Sequence, residues 1–221
     1  MSAATVGLSL TVADSDGRPL LRTDQWGSEH ASPNPCSNSY HGPEPETEPE
    51  NTAVADYIRA QQAAPETAVV GAIDHHCCGD MWMTPWGFTV GHHRSQASAL
   101  AGTGMRRSPR GGVVLQVELP PDYDEHMELG LAACEAIDEV HGRNYCARTG
   151  PIFTVISPAT GCCTDFMYGE GRIKQSLATE LRSALGSGEN PAILDNCEEM
   201  QAGLVVMGER LVAARNGGGR A

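Results

Sequence analysis

The sequence lacks three patterns that would each point to a broad class of protein. It has no Cys-x-x-Cys pair, which argues against a structural zinc ribbon. No apolar run approaches the roughly 18 residues that a membrane-spanning helix requires, so we expect no membrane association. Basic residues number 15 against 28 acidic ones, for a net charge of −13. This balance argues against nucleic acid as a partner.

The sequence also lacks a clear signal for its cellular compartment. The first twelve residues have neither the basic start nor the long apolar core of a signal peptide. Eight cysteines would suit a secreted protein, but four of them form two adjacent pairs, which is awkward for a disulfide framework. The compartment therefore stays open. The cysteines are Cys36, Cys77, Cys78, Cys134, Cys146, Cys162, Cys163 and Cys197.

Glycine and proline are plentiful, at 25 and 14 residues, and predict long loops within a single-domain chain. Residues 1–35 are dominated by turn-forming and acidic residues, which predicts an irregular N-terminal segment. Residues 36–216 are predicted to form the domain. Within it, the basic and Gly/Ser-rich stretch 88–119 reads as an inserted loop, and residues 217–221 as a flexible tail.

Short apolar runs at 67–74, 151–157 and 176–181 are typical of strands buried on both sides. A further strand is predicted at 113–119. Helices are predicted at 48–62, 120–142 and 195–216. Strands that alternate with helices predict an α/β domain of three layers, with a mixed, mainly parallel sheet flanked by helices.

Each predicted helix carries an apolar stripe that we expect to face the core. The stripes are Val54, Tyr57 and Ile58 in the first helix, Met127, Leu131, Cys134 and Ile137 in the second, and Met200, Leu204, Met207 and Leu211 in the third.

Polar side chains follow two of the predicted strands. His75 and His76 come directly after the strand that is predicted to end at Asp74, and Glu180 lies near the end of another strand. Ligands in sheets of this kind bind at the carboxyl ends of strands. We therefore expect the two strands to be neighbours in one mixed sheet, with His76 and Glu180 on the same side of it. At a separation of more than about 12 Å the two side chains could not share one bound water.

Three segments in order resemble the zinc metallocarboxypeptidases of the carboxypeptidase A/B type, peptidase family M14. They are "PCSNSYHGPEPETEPENTAVADYI", "AIDHHCCGDMWMTPWGF" and "TGPIFTVISPATGCCTDFMYGEGRIKQSLATELR". The resemblance covers roughly residues 36–87 and 120–213. It implies a truncated carboxypeptidase-like fold and removal of C-terminal residues from peptides, so that the partner is a peptide or protein C-terminus. Members of the family are often secreted.

The resemblance also assigns roles to single residues. His76 corresponds to a ligand of the one zinc ion, and Glu180 to the general base that accepts a proton from the metal-activated water. Thr164 corresponds to the floor of the pocket that reads the terminal side chain of the substrate. Ser157 stands where the family has a mobile tyrosine over the substrate.

Other positions depart from the family pattern. The His-x-x-Glu spacing that supplies two further zinc ligands occurs only at His41–Glu44, in the predicted loop after Tyr40, and Asp24 stands where the family has an arginine that clamps the substrate carboxylate. The resemblance therefore lacks the N-terminal part of the domain, and we expect little turnover and no stoichiometric zinc from this chain.

Two rival interpretations remain open. The chain is either a catalytically inactive relative that binds a peptide or a partner protein, or a Cys/His metal-binding module unrelated to peptidases. In the second case Cys77 and Cys78 would join His75 and His76. Adjacent strand residues point to opposite faces, which favours core and loop positions for these cysteines.

Overall fold

The computed structural model describes residues 32–37, 40–44, 46–77, 79–87, 106–107, 113–114, 119–157, 159–182 and 192–217. The predictions for residues 1–31, for Cys78, for most of the segment 88–119 and for residues 218–221 lie outside the described residues.

A four-stranded mixed sheet forms the centre of the described fold. Its strands are β1 (Gly71–Cys77), β2 (Met81–Thr84), β5 (Thr149–Pro151) and β6 (Gln175–Leu181), in the order β1-β6-β2-β5. β1 pairs with β6 and β2 with β5 in parallel, whereas β2 and β6 are antiparallel. The sheet is therefore open, mixed and mainly parallel, as predicted.

Helices cover both faces of this sheet. They are α1 (Pro49–Gln62), α2 (Tyr123–His141), the short α3 (Ile152–Val155), α4 (Cys163–Gly169) and α5 (Ala192–Gly217). Pro49 suits the first turn of α1 because its missing N–H would have no helical partner there. Gly142 ends α2 in the left-handed conformation, at φ 68°, that glycine adopts without strain.

Three clusters of buried side chains lie among the described residues, and two of them pack the helices onto the sheet. On one face, α2 and α5 pack over Trp82 of β2 and Leu177 of β6. On the other face, Ile58 of α1 and Phe166 of α4 pack together with Trp86. Because successive strand residues alternate between faces, the same strands serve both cores, which gives the expected three layers.

The predicted strand at 151–157 is wrong after its first residue. β5 ends at Pro151, and the chain turns at once into α3. The Thr154 hydroxyl donates a hydrogen bond to the Pro151 carbonyl (2.7 Å), and the Ile156 N–H donates to the Ile152 carbonyl (3.1 Å). These local bonds close a helical turn that the apolar run does not reveal.

The strand predicted at 67–74 is shifted along the chain. β1 begins at Gly71 and continues through His75 and His76 to Cys77. Its continuation follows from pairing with β6 over seven successive residues, which satisfies the backbone of the polar positions as well as the apolar ones.

The predicted helix faces are only partly correct. Ile58, Cys134, Ile137, Met200 and Met207 are buried. Four other members of the predicted stripes are exposed, and Ala55, Leu129 and Ala133 are buried beside the correct ones, so each helix is rotated from the predicted orientation. The exposed members are Val54, Tyr57, Leu131 and Leu204.

Within the segment 88–119, Arg106–Arg107 (β3) pairs antiparallel with Val113–Val114 (β4). This two-residue ladder forms a separate small sheet and is not part of the central one. Across the described part of the chain, no helix combines the length and the hydropathy needed to cross a bilayer.

Candidate active site

His76 and Glu180 lie directly opposite each other at the carboxyl ends of two adjacent parallel strands. The register of β1 and β6 pairs His76 with Glu180, Ala178 with Asp74 and Ser176 with Ala72. Paired residues on neighbouring strands point to the same face of a sheet. The two strands are thus neighbours, and the two side chains share one face, as the sequence predicted.

Asp74 shares this face because it lies two residues before His76 on β1. Its Oδ2 atom is 2.9 Å from Nε2 of His76. The hydrogen bond to Asp74 is the main reason that the pKa of His76 is raised above its usual value. The imidazole is therefore oriented by a carboxylate and holds a proton more tightly than a solvated histidine.

Glu180 lies in a partly buried position on this face. Burial raises the pKa of its carboxyl group, an effect that the nearby His76 opposes and Asp74 reinforces. Its Oε2 atom is buried and has no hydrogen-bond partner among the described residues. A carboxylate with a raised pKa and an unused acceptor atom is suited to accept a proton from a group that enters the site.

Arg148 also contributes positive charge near Glu180. It lies in the 3-10 turn Cys146–Arg148, and its Nη1 donates a hydrogen bond to the Gly79 carbonyl (2.9 Å). Its charge favours the ionised form of Glu180 and so lowers the pKa of that carboxyl group. The two-residue spacing of Asp74 and His76 on one strand is a signal that the sequence carries, whereas only the fold brings the charge of Arg148 to bear on Glu180.

His75 is directed to the opposite face of the sheet. Its Nδ1 atom is 2.7 Å from the Thr179 hydroxyl oxygen, and Thr179 precedes Glu180 on β6. Burial lowers the pKa of His75. The two adjacent histidines therefore occupy different environments and do not form one site.

Thr164 and Ser157 lie in the segments that follow β5. Thr164 is in α4 with 1% of its surface exposed, and its carbonyl oxygen accepts a hydrogen bond from the Ser176 hydroxyl (2.8 Å). Ser176 is four residues before Glu180, roughly 13 Å along the strand. Ser157 is half-buried, two residues beyond the end of α3.

A buried carboxylate fixes the chain beside α4. The Gly87 N–H donates to both oxygens of Asp165, each at 2.9 Å. The Ala159 N–H in turn donates to the Gly87 carbonyl (2.8 Å). These bonds join the segment after β2 to α4, which carries Thr164, and to the loop that precedes α4.

The described residues do not fit a complete catalytic zinc site. A catalytic zinc needs three protein ligands, and in the described part of the chain no group of three His, Cys, Asp or Glu side chains could hold a metal ion. His76 contributes one imidazole, and its Nε2 atom already contacts Asp74.

The fold and the site define an α/β protein with a histidine and a glutamate at the carboxyl ends of adjacent parallel strands. Residues 20–198 match the sequence profile of the family described as zinc carboxypeptidase, peptidase M14. Because this match covers most of the chain, the protein belongs to the zinc carboxypeptidase family.

Individual relatives agree with this assignment. The chain is 30% identical over 189 residues to carboxypeptidase A2 of Rattus norvegicus, a match covering 84% of this chain and 37% of that protein. It is 30% identical over 157 residues to carboxypeptidase B of Astacus astacus, covering 71% of this chain and 41% of that protein. The chain thus spans less than half the length of these relatives.

Solved structures show the same fold. Bovine thrombin-activatable fibrinolysis inhibitor, in complex with tick carboxypeptidase inhibitor, superposes with a TM-score of 0.65 at 23% identity, over 88% of this chain and 56% of that chain. Carboxypeptidase A from Helicoverpa armigera gives a TM-score of 0.61 at 22% identity, over 85% of this chain and 39% of that chain.

Proposed function

We propose that this chain carries the residue that transfers protons in a zinc carboxypeptidase site, and that it acts on the C-terminal end of peptides. Glu180 is the general base, His76 is a zinc ligand, and Ser157 and Thr164 contact the terminal residue of the substrate. The observation that carries the proposal is the pairing of His76 with Glu180 across β1 and β6.

The environment of Glu180 supports its proposed role. A base that must take a proton from an attacking water and return it to a leaving amine works best when its pKa lies near the working pH. Burial shifts the pKa of Glu180 in that direction, whereas the charges of His76 and Arg148 oppose the shift. The unpartnered Oε2 atom supplies the acceptor.

A second function has its own supporting observation. The described residues offer one zinc ligand, and Asp74 occupies Nε2 of that histidine. If no further ligand joins them, the chain binds a peptide C-terminus or a partner protein at this face without cleaving it. We accordingly expect the isolated 221-residue chain to show little turnover and to lack stoichiometric zinc.

Metal analysis and a hydrolysis assay distinguish these two functions. The purified chain is dialysed against zinc, its metal content is measured, and release of the terminal residue from a blocked dipeptide is followed. One zinc per chain, with turnover that Glu180→Gln abolishes and the exposed Glu139→Gln preserves, would establish the hydrolase and overturn our expectation of inactivity. Loss of zinc in His76→Ala would assign the ligand.

Binding measurements test the site when turnover is absent. Titration calorimetry compares a blocked tripeptide bearing a free C-terminal carboxylate with the same peptide as its C-terminal amide. Binding that requires the carboxylate and changes in affinity in Glu180→Gln supports peptide recognition at this face. Equal binding of both peptides, or none, with Glu139→Gln as the matched control, contradicts it.

A further inference from the structure

One cysteine of α2 and one of the 3-10 turn that follows it lie over the same part of this helix. Cys134 is fully buried within α2, and Cys146 is half-buried at the start of the following 3-10 turn. Each thiol affects the pKa of the other, as expected of groups that lie close together. The Sγ atom of Cys134 is 3.2 Å from the Thr149 hydroxyl oxygen, and that of Cys146 is 3.8 Å from the Leu131 carbonyl oxygen. Leu131 is one helical turn before Cys134, so Cys146 lies over the same part of α2.

The backbone that carries Cys146 is held against the same helix. Asp138 lies one turn after Cys134 on α2, and its carboxylate accepts hydrogen bonds from the Tyr145 N–H (2.9 Å) and the Cys146 N–H (3.5 Å). The Thr149 hydroxyl donates to the Tyr145 carbonyl (3.2 Å). These bonds hold the backbone of Cys146 next to α2 without any contribution from the sulfur atoms.

We propose that Cys134 and Cys146 form an intramolecular disulfide when the protein meets a low-molecular-weight disulfide such as oxidised glutathione. A disulfide requires backbones that already approach each other, with the sulfur atoms closing to about 2.0 Å. Here each thiol influences the other and the backbone that carries Cys146 is anchored to α2, so we expect side-chain rotation to bring the two sulfur atoms together. The adjacent pair Cys162-Cys163 has no such arrangement.

The reaction is balanced by the oxidant. The Cys146 thiolate, the more accessible of the two, attacks one sulfur of oxidised glutathione; the old S–S bond breaks and one glutathione leaves as thiolate. Cys134 then loses its proton to solvent and attacks the Cys146 sulfur, which expels the second glutathione. The protein loses two protons and two electrons, and oxidised glutathione is reduced to two thiols.

The disulfide would tie the turn that carries Arg148 covalently to α2. That turn also leads directly into β5, and Arg148 is the cation that favours the ionised form of Glu180. The cross-link therefore fixes one wall of the candidate site. Because it closes a short loop, it also restricts the unfolded chain.

The pKa values of the two thiols set the rate of this oxidation. Burial and the carboxylates of Asp138 and Glu135 raise the pKa of Cys146 to about 11, and burial raises that of Cys134 to about 12. The thiolate is the attacking species, so the rate should rise about tenfold per pH unit in the neutral range.

The test uses the full chain with oxidised glutathione at pH 7.5 and 8.5. After an acid quench, unfolding, alkylation and proteolysis, mass spectrometry should find a peptide linked through Cys134 and Cys146, formed about tenfold faster at the higher pH. The oxidised protein should melt roughly 5–10 °C higher than the reduced one. Cys146→Ala should lose this shift, whereas Cys197→Ala, on the exposed side of α5, should retain it.

A different distribution of glutathione over the cysteines would overturn the proposal. If Cys134 and Cys146 are both recovered alkylated while the exposed Cys36, Cys77 or Cys197 carry glutathione, the pair does not form the disulfide. Peptide mapping of the unsubstituted chain decides this even if Cys146→Ala folds poorly. Hydrolase activity does not enter the measurement, so its outcome is independent of the proposed function.

Discussion

Replacing Arg182 should destabilise the protein strongly, because its guanidinium neutralises a fully buried carboxylate. Arg182 directly follows β6, and its side chain is 13% exposed. Its Nη2 atom is 2.9 Å from Oε1 of Glu199 on α5, whose side chain is completely buried. A second contact joins Nη1 to Asp195, which is 42% exposed. Neither Glu199 oxygen has an aligned hydrogen-bond donor among the described residues, so charge, more than hydrogen bonding, holds the pair together.

The expected loss in the free energy of unfolding follows from the difference in exposure between the carboxylates of Glu199 and Asp195. Arg182→Met keeps most of the length of the side chain but leaves Glu199 buried without the guanidinium that neutralises it. Breaking a buried pair in this way costs about 3–5 kcal/mol. The exposed contact with Asp195 adds about 0–1 kcal/mol. For a protein of this size the melting temperature should fall by roughly 6–20 °C.

The loss of stability in Arg182→Met should depend on pH. Burial already raises the pKa of Glu199 above 4.5, and loss of Arg182 raises it further. A carboxyl group whose folded pKa is raised penalises the folded state when it is ionised, above that pKa, and the penalty disappears as the pH falls through it. Arg182→Met should therefore be most destabilised at neutral pH, and the difference from the unsubstituted protein should shrink toward pH 5.

Urea unfolding at pH 7 and pH 5 measures both effects. The double variant Arg182→Met/Glu199→Leu should recover to within about 1 kcal/mol of the unsubstituted protein, because apolar residues can replace a buried pair without loss. Asp195→Asn, which removes only the exposed contact, is the matched control. A cost below about 1 kcal/mol for Arg182→Met, or a deficit that grows at pH 5, would refute this reasoning.

Three further outcomes are expected. A Cβ at Gly87 would lie 2.8 Å from the Ala159 carbonyl oxygen, so Gly87→Ala should lower the free energy of unfolding in urea by about 1–3 kcal/mol. At Gly208 a Cβ would meet nothing within 4 Å, so Gly208→Ala should raise it by about 0.5–1 kcal/mol. Equal effects of the two substitutions would contradict this prediction. Burial lowers the pKa of the fully buried His126, so stability should fall as the pH drops below 6.5, and His126→Gln should reduce that slope; an unchanged slope would rule out this source. Trypsin should cleave the segment 88–119 first, near Arg106, Arg107 or Arg110; protection equal to that of α2 would overturn the predicted insertion.

Local sequence predicted those parts of the fold that depend on local chemistry. The apolar run ending at Leu181 is a strand in the structure, and the proline and acidic residues before Val54 do begin a helix. The position of His76 after one apolar run and of Glu180 within another was enough to expect them together, because the ends of neighbouring parallel strands meet at one edge.

Features that depend on packing partners could not be read from the sequence. Val54 and Tyr57 have the right spacing for a buried face, yet they are exposed because α1 turns Ala55 and Ile58 inward. Arg59 of that helix pairs with Glu46 and Glu170, which are distant in the chain, and these contacts help to set its rotation. Helical periodicity locates the buried face of a helix only to within about one residue, and the tertiary contacts decide which of the neighbouring residues point inward.

The candidate site divides in the same way. The sequence by itself determined which residue types are present: an imidazole and a carboxylate that follow or end strands, and cysteines scattered over distant segments. Only the tertiary structure decided that Glu180 lies beside the pair of Asp74 and His76, that the charge of Arg148 acts on Glu180 and that Cys146 lies near Cys134. Charge and thiol chemistry act over a few ångströms, whereas separation along the chain does not report distance in space, so these pairings exist only once the sheet and α2 are assembled.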